Sequence, residues 1–262
     1  MTRFCISDLH LCDKGPRDNF AFNGRGERFC EFLNFVGNQG GKLLILGDLF
    51  DWWQVNLSES VLCYRWLIDR LAAMQARYVI GNHDNALAKF IGASLMPAHP
   101  LLQLSTGPFE ETIGGRKFAF LHGHEADPYC NSLNPGVGEI TAVISGVLED
   151  RNKGPFNAHG HAIEDEFVGT LESVLTLWRR LTFQHGRLDE MIDQVEAHRT
   201  ERQADVVVYG HTHEPGRIGD RHYNTGCWCR SKDTFLCIED DGAVSLWEWT
   251  EAGAVPFNRT LR

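Results

Sequence analysis

Residues 3–10 read RFCISDLH, and this short segment indicates the fold of the chain. It begins with a mostly apolar run of the length of a buried β-strand and ends directly in Asp8 and His10. Four more apolar runs of this kind follow along the chain, at residues 42–47, 77–80, 117–121 and 205–209. The sequence therefore predicts a core of five buried strands.

Helical patterns separate these strands. Residues 27–36 place apolar side chains at helical spacing, with Gly37 where a helix would stop, and residues 59–75 repeat the pattern with Leu62, Trp66, Leu67, Leu71 and Met74. Strands that alternate with helices indicate an α/β fold. Residues 234–239 and 243–249, joined across residues 240–242, predict an antiparallel hairpin, so we expect mixed sheets.

Residues 130–203 interrupt this alternation and predict a helical insertion within a single domain that spans residues 1–262. The apolar stripe of the insertion fits core packing, a cap over a substrate site, or a surface for a partner, a lipid or a second copy of the chain. His159 and His161 lie in this insertion, away from any strand end, and predict a surface or hinge role.

Composition excludes several classes of protein. With 43% hydrophobic and 23% charged residues, the 262-residue chain is neither disordered, collagen-like nor a coiled coil. Its formal charge of −10 argues against binding to duplex nucleic acid. No apolar run approaches the about 20 residues of a membrane-spanning helix, and no signal-peptide pattern is visible, so we expect a cytoplasmic protein. The eight scattered cysteines predict reduced, mostly buried thiols.

Side chains that can bind metal ions follow every predicted core strand. They are Asp8, His10, Asp48, Asn82, His83, Asp84, His122, His124, His211 and His213. The carboxyl ends of strands line the ligand crevice in open α/β sheets, so we expect these groups to converge. Burying so many polar groups together without cations would be prohibitively costly.

The chemistry of these side chains indicates the kind of metal site. Imidazole, carboxylate and amide ligands without thiolate suit divalent ions such as Mn, Fe, Zn, Co or Ni. The groups are too many for one tetrahedral ion and suit two ions about 3.5–4 Å apart with a bridging carboxylate, as in two-metal hydrolases. Such a centre would attract a phosphate although the whole chain is acidic.

Five motifs in order give the chain a resemblance to a known family. SDLH at 7–10, GDLFD at 47–51, GNHD at 81–84, HGH at 122–124 and GHTH at 210–213 resemble the motifs of calcineurin-like metallophosphoesterases. The resemblance implies an αββα sandwich of two mixed sheets flanked by helices, with a dinuclear centre. It implies that one ion is held by Asp8, His10, Asp48 and His213. The other ion is then held by Asp48, Asn82, His122 and His211, so that Asp48 bridges the two.

The same resemblance implies roles in phosphoester hydrolysis. A metal-bound hydroxide would attack phosphorus in line, His83 would protonate the leaving oxygen or steady the phosphoryl group, and Asp84 would orient the His83 ring. Two divalent ions are the implied cofactors, with Mn favoured and Fe, Zn, Co, Ni and Mg as alternatives. The expected substrate is a phosphoester, which includes nucleotide-containing ones.

Within this family the chain is similar to the UDP-2,3-diacylglucosamine pyrophosphohydrolases of lipid A synthesis. It departs from their pattern at His83, His124 and Glu214, where they carry Arg, Asp and Arg. The sequence therefore predicts a phosphodiesterase or phosphomonoesterase of broader type. The alternatives are a pyrophosphohydrolase of the UDP-2,3-diacylglucosamine type and a non-catalytic scaffold with this fold.

Several further residues have two interpretations each. Three arginines follow the first motif, Arg17, Arg25 and Arg28. They either bind a phosphate group of the substrate or belong to a solvated loop. His124 fits a contact with the ligands or the substrate, or a structural role. Trp52 and Trp53, directly after the second motif, either wall the cleft or pack in the core.

Overall fold

A computed structural model describes residues 1–15, 18–88, 103–105, 107–127, 130 and 186–261. Its strands are β1 Arg3–Ile6, β2 Lys42–Leu46, β3 Arg77–Val79, β4 Gln103–Ser105, β5 Phe109–Ile113, β6 Arg116–Phe120, β7 Val206–Tyr209, β8 Gly216–Ile218, β9 His222–Asn224, β10 Asp233–Ile238, β11 Val244–Thr250 and β12 Gly253–Pro256. Its helices are α1 Arg25–Asn38, α2 Leu57–Cys63, α3 Arg65–Ala73 and α4 Gly186–Glu201, with a short 3₁₀ turn at His124–Ala126.

The strands form two mixed sheets. The first has the order β12-β11-β10-β1-β2-β3-β4 and the second the order β5-β6-β7-β9-β8. Strands β1, β2 and β3 run parallel to one another, as do β6 and β7, while β10 and β11 form the predicted antiparallel hairpin. Parallel neighbours end at the same edge of a sheet, so the loops after these five strands come together.

Three layers of apolar packing hold the sheets and helices together. Between the sheets, residues such as Leu44 and Leu236 of the first sheet pack with Phe120 and Val208 of the second. Helices α1 and α3 cover the outer face of the first sheet. Helix α4 covers the second sheet through Met191 and its neighbours. This helix–sheet–sheet–helix order confirms the predicted αββα sandwich.

The two predicted helices differ in how well they form. Helix α1 buries the predicted stripe of Phe29, Phe32, Leu33 and Val36. The pattern over residues 59–75 is instead divided into α2 and α3 at Tyr64, so the prediction of one continuous helix is wrong.

Tyr64 explains the break between α2 and α3. Its ring is buried, and its hydroxyl donates a hydrogen bond of 2.6 Å to Asp18 Oδ2 in the loop after β1. This anchor holds the backbone of Tyr64 outside helical geometry. Leu62 and Trp66, which we expected on the apolar stripe, are exposed on the surface as a result of the division.

The predicted insertion is described only in part. Residue 130 and residues 186–203 are described, and they include the helix α4. Residues 131–185, with His159 and His161, lie outside the described residues, and so does Arg17. Whether the insertion is a lid or an interface between two copies of the chain stays a prediction. No helix in the described part is long and apolar enough to cross a membrane.

Candidate metal centre

The loops after the parallel strands bring the predicted ligands together. Asp8 follows β1 and His213 follows β7, yet Asp8 Oδ1 lies 3.2 Å from His213 Nε2. His10 Nε2 lies 3.1 Å from His213 Nε2. Two ligands of one metal ion lie about 3 Å apart when each bond is about 2.1 Å. The convergence expected from the sequence is therefore observed across the two sheets.

Asp48 connects this group of side chains to a second one. Its Oδ2 atom lies 3.7 Å from His10 Nε2 on one side and 3.2 Å from His122 Nε2 on the other. His122 Nε2 also lies 3.0 Å from Asn82 Oδ1, and His211 offers a nitrogen to the same cluster, within 4.8 Å of Asp48 and His122. One carboxylate oxygen thus faces both groups of side chains.

The donor set fits divalent cations. Asp8 Oδ1 is buried and accepts no hydrogen bond from the described residues, although His213 Nε2 faces it. Asp48 is also buried. Buried polar atoms normally have partners, and a carboxylate without one is costly unless a cation is bound. Carboxylate, imidazole and amide oxygen together are ligands that first-row divalent ions accept.

The two central carboxylates keep their negative charge. Burial raises the pKa of Asp8 and Asp48, but the neighbouring imidazoles outweigh it and hold both pKa values well below the usual range. Burial lowers the pKa of His122, yet Asp48 and Asp8 raise it to about 10. Burial lowers the pKa of His211 and His213, which favours the neutral rings that metal binding requires. Two ionised carboxylates that hold a proton on a buried imidazole also attract a metal cation.

The backbone at the ligand positions is strained. Asp8, His10, Asp48, His211 and His213 have φ values of 56°, 51°, 51°, 68° and 59°, in the left-handed region. Few non-glycine residues adopt this conformation, and those that do concentrate at functional sites. The turns aim the side chains that follow β1, β2 and β7 into one crevice.

Two glycines in the motifs allow the ligands to pack closely. A Cβ atom at Gly47 would lie 2.2 Å from Nδ1 of His122, and one at Gly81 would lie 2.1 Å from Oδ1 of Asp48. Gly47 also has a φ of +89°. These contacts explain why glycine precedes the ligand in the GD and GN motifs.

The ring of His83 is held by Asp51. His83 Nδ1 lies 2.8 Å from Asp51 Oδ1, and His83 Nε2 points toward the metal centre, 3.9 Å from Asp48 Oδ2. Trp53 stacks on the same ring at a centroid distance of 3.8 Å. The imidazole is thus fixed on one nitrogen and presents the other to the crevice.

The expectation that Asp84 orients His83 is corrected by these contacts. The Asp84 carboxylate accepts hydrogen bonds from the backbone N–H of Leu49 (2.8 Å) and of Gly81 (2.7 Å) and from the Tyr78 hydroxyl. Burial and the negative charge of Asp48 raise its pKa to about 7. Asp84 therefore ties the loop after β2 to the loop after β3.

The remaining sequence candidates lie around the centre. Trp52 stacks on Phe50 and packs in the core, whereas Trp53 walls His83. The His124 ring lies 5.4 Å from the His122 ring, and burial lowers the pKa of His124 to about 4, so the ring is neutral.

Arg25 and Arg28 do not enter the metal cluster. Both guanidinium groups form ion pairs with the buried carboxylate of Asp233, at 2.7 Å and 2.9 Å. This pairing anchors the start of α1 to the start of β10.

Asp127 was not recognised from the sequence. Its Oδ2 atom lies 2.7 Å from Nε2 of His211, while the backbone carbonyl of Leu46 similarly accepts a hydrogen bond of 2.7 Å from Nδ1 of His122. Partners of this kind fix the ring orientation and raise the basicity of a metal-binding histidine. The only sequence signal is a carboxylate five residues after His122.

Replacing Asp127 with alanine is expected to weaken metal binding by about 10–100-fold, because the His211 ring loses the group that orients it. Competition between the protein and a chelator measures this affinity directly. Asp220→Ala removes an exposed carboxylate elsewhere and serves as the control. An unchanged affinity in Asp127→Ala would contradict the role.

Comparison with known proteins bears on the family of this chain. The sequence model of the calcineurin-like phosphoesterase family matches residues 1–215. A UDP-2,3-diacylglucosamine hydrolase of Blochmanniella pennsylvanica is 25% identical over 227 residues, which cover 82% of this chain and 80% of that protein. One of Photorhabdus laumondii is 23% identical, with coverages of 82% and 83%. Vacuolar Protein Sorting 29 from Cryptosporidium parvum is similar in structure, with a TM-score of 0.47, 13% identity and coverages of 98% and 98%. The chain therefore belongs to the calcineurin-like phosphoesterase family and is a phosphoester hydrolase.

Proposed function

We propose that this protein hydrolyses phosphodiesters or phosphomonoesters with two divalent metal ions bound by its strand-end ligands. The observation that carries the proposal is the Oδ2 atom of Asp48, which faces His10 at 3.7 Å and His122 at 3.2 Å. Asp8, His10 and His213 would hold the first ion, and Asn82, His122 and His211 the second. Mn is favoured, with Fe, Zn, Co, Ni and Mg as alternatives.

When bound, such ions lower the pKa of water toward neutrality and neutralise the charge on phosphoryl oxygens. The residues of the chain position the metal-binding side chains and donate a proton to the leaving group. Asp48 and Asp8 fix the ligand cluster, and His83 Nε2 donates a proton to the leaving oxygen. Asp51 accepts the hydrogen bond from Nδ1–H of His83, so the carboxylate keeps Nε2 aimed at the substrate and stabilises the charged ring.

Two observations bear on the substrate. The similar curated proteins named above are UDP-2,3-diacylglucosamine hydrolases, which supports that substrate as an alternative. Against it stand His83, His124 and Glu214 at positions where that subgroup carries Arg, Asp and Arg. The exchange at position 83 replaces a permanent cation with a side chain that can donate a proton and then be neutral. We therefore favour a phosphodiesterase or phosphomonoesterase of broader type.

The experiment compares three substrates on protein reconstituted with manganese. Bis-p-nitrophenyl phosphate, p-nitrophenyl phosphate and UDP-2,3-diacylglucosamine are assayed in parallel, and elemental analysis counts the metal ions. We expect turnover of a nitrophenyl ester and two ions per chain. Selective turnover of the third substrate, with release of UMP, would reverse the ranking. Inertness toward all three would favour the non-catalytic scaffold.

A further inference from the structure

An open cavity of about 920 Å³ lies beside the metal centre. Cys229 lines the cavity, and its sulfur is 3.8 Å from Nδ1 of His213. The cavity is therefore bordered by a residue that contacts His213, one of the predicted metal ligands. The two spaces are neighbours on either side of Cys229.

The lining of the cavity is cationic. Lys14, Arg25, Arg28 and Arg230 all contribute to it, and no acidic side chain does so among the described residues. The formal charge of the whole chain is −10, whereas the surface around this cavity is positively charged. A concave surface lined by one sign of charge raises the local concentration of ions of the opposite sign.

Two of these cations have a structural partner. The carboxylate of Asp233 forms ion pairs with both Arg25 and Arg28. The guanidinium group of Arg25 also donates to the backbone carbonyls of Asn19 and Arg230. The guanidinium group of Arg28 donates to the backbone carbonyl of Asn23. One carboxylate neutralises only one of the two charges. The ion pairs hold the planes of both guanidinium groups in place at the cavity wall.

The other two cations have no carboxylate partner in the part of the chain that the structure describes. Lys14 and Arg230 are exposed, and neither pairs with a described Asp or Glu. The Lys14 ammonium lies 5.2 Å from the centre of the Tyr64 ring, which positions it without neutralising it. Arg230 follows Cys229 directly in the chain and lines the same cavity.

We infer that this cavity binds a second phosphate group of the substrate, separate from the phosphate that is hydrolysed. The inference rests on the proposed function, because it assumes a phosphoester in the crevice. The guanidinium group of Arg230 can bind phosphate oxygens through charge-assisted hydrogen bonds, the ammonium of Lys14 adds a point charge, and Arg25 and Arg28 add to the positive potential of the cavity. The preferred substrate is therefore a phosphoester that carries two phosphates.

Two chromogenic nucleotides test this inference. Thymidine 5′-(p-nitrophenyl phosphate) and its 3′-phosphorylated form differ only in the second phosphate. The manganese-loaded protein should have the higher kcat/KM for the 3′-phosphorylated form. Arg230→Gln should reduce the ratio of the two kcat/KM values about tenfold, as expected for one lost charge-assisted hydrogen bond.

Matched variants complete the test. Lys14→Gln should also lower the ratio, whereas Lys232→Gln should keep it, because Lys232 pairs with Glu248 on the surface and does not line the cavity. A ratio that stays unchanged in the Lys14→Gln, Arg230→Gln double variant would overturn the inference.

Calorimetry separates this inference from the proposed function. Thymidine 3′,5′-bisphosphate and thymidine 5′-phosphate are titrated into the manganese-loaded protein and into Arg230→Gln. A preference for the bisphosphate that Arg230→Gln removes would support the cavity even if neither nitrophenyl ester were hydrolysed, in which case the proposed function fails. Hydrolysis without any such preference would leave the proposed function standing and refute the second phosphate site.

Discussion

Replacing Asp48 with alanine is expected to remove both metal ions and to lower kcat/KM at least about a thousandfold, equal to about 4 kcal/mol of transition-state stabilisation. The reason is that Oδ2 of Asp48 faces both groups of ligands, so its loss weakens two sites at once. Elemental analysis and a nitrophenyl ester assay on the same preparation measure the two effects.

A second variant separates charge from shape at this position. Oδ1 of Asp48 accepts a hydrogen bond of 3.0 Å from the backbone N–H of His83, which alanine cannot replace. Asp48→Asn can retain this acceptor while it removes the negative charge, and it should still lose metal. Asp241→Ala, at an exposed turn, is the control for removal of a carboxylate. Two ions per chain and normal turnover in Asp48→Asn would contradict the bridging role.

Replacing His83 with alanine is expected to leave both ions bound and to lower kcat by about 10²–10⁴-fold, the range of a lost general acid. The loss should be larger for esters with poor leaving groups, because these need the proton most. A series of aryl and alkyl phosphoesters measures this dependence. A purely structural role of His83 would lower the rate of all esters equally.

Asp51→Asn provides the matched variant for this prediction. It removes the carboxylate that holds Nδ1 of His83 at 2.8 Å, so it should lower kcat in the same direction but by less. The dependence on the leaving group should also be the same. Loss of metal from His83→Ala, or full activity of Asp51→Asn, would argue against the pair.

The arrangement of the ligands could be predicted from sequence because each ligand follows a buried strand. Asp8, Asp48 and Asn82 come after β1, β2 and β3, which are parallel neighbours, so their proximity follows from the topology. The same reasoning places His122 and His211 together after β6 and β7. Long apolar runs signal such strands clearly. Strands β8 and β9 lack such an apolar run and were not predicted.

The partners of the ligands could not be predicted in this way. The family resemblance implied that Asp84 orients His83, but Asp84 instead accepts backbone hydrogen bonds. Asp127 lies just after the short 3₁₀ turn and contacts His211, which is 84 residues further along the chain. Neither contact leaves a periodic pattern, since both depend on how two loops meet.

The left-handed backbone at the predicted ligand positions lowers the stability of the fold while it serves the function of the site. Conformations of this kind cost about 1–3 kcal/mol for each residue that has a side chain. Glycine at position 8 or 213 would relax the chain there, and it would also remove a side chain that we propose binds a metal ion. Searches for heat-resistant versions of this enzyme by random substitution should therefore tend to select inert proteins at these five sites.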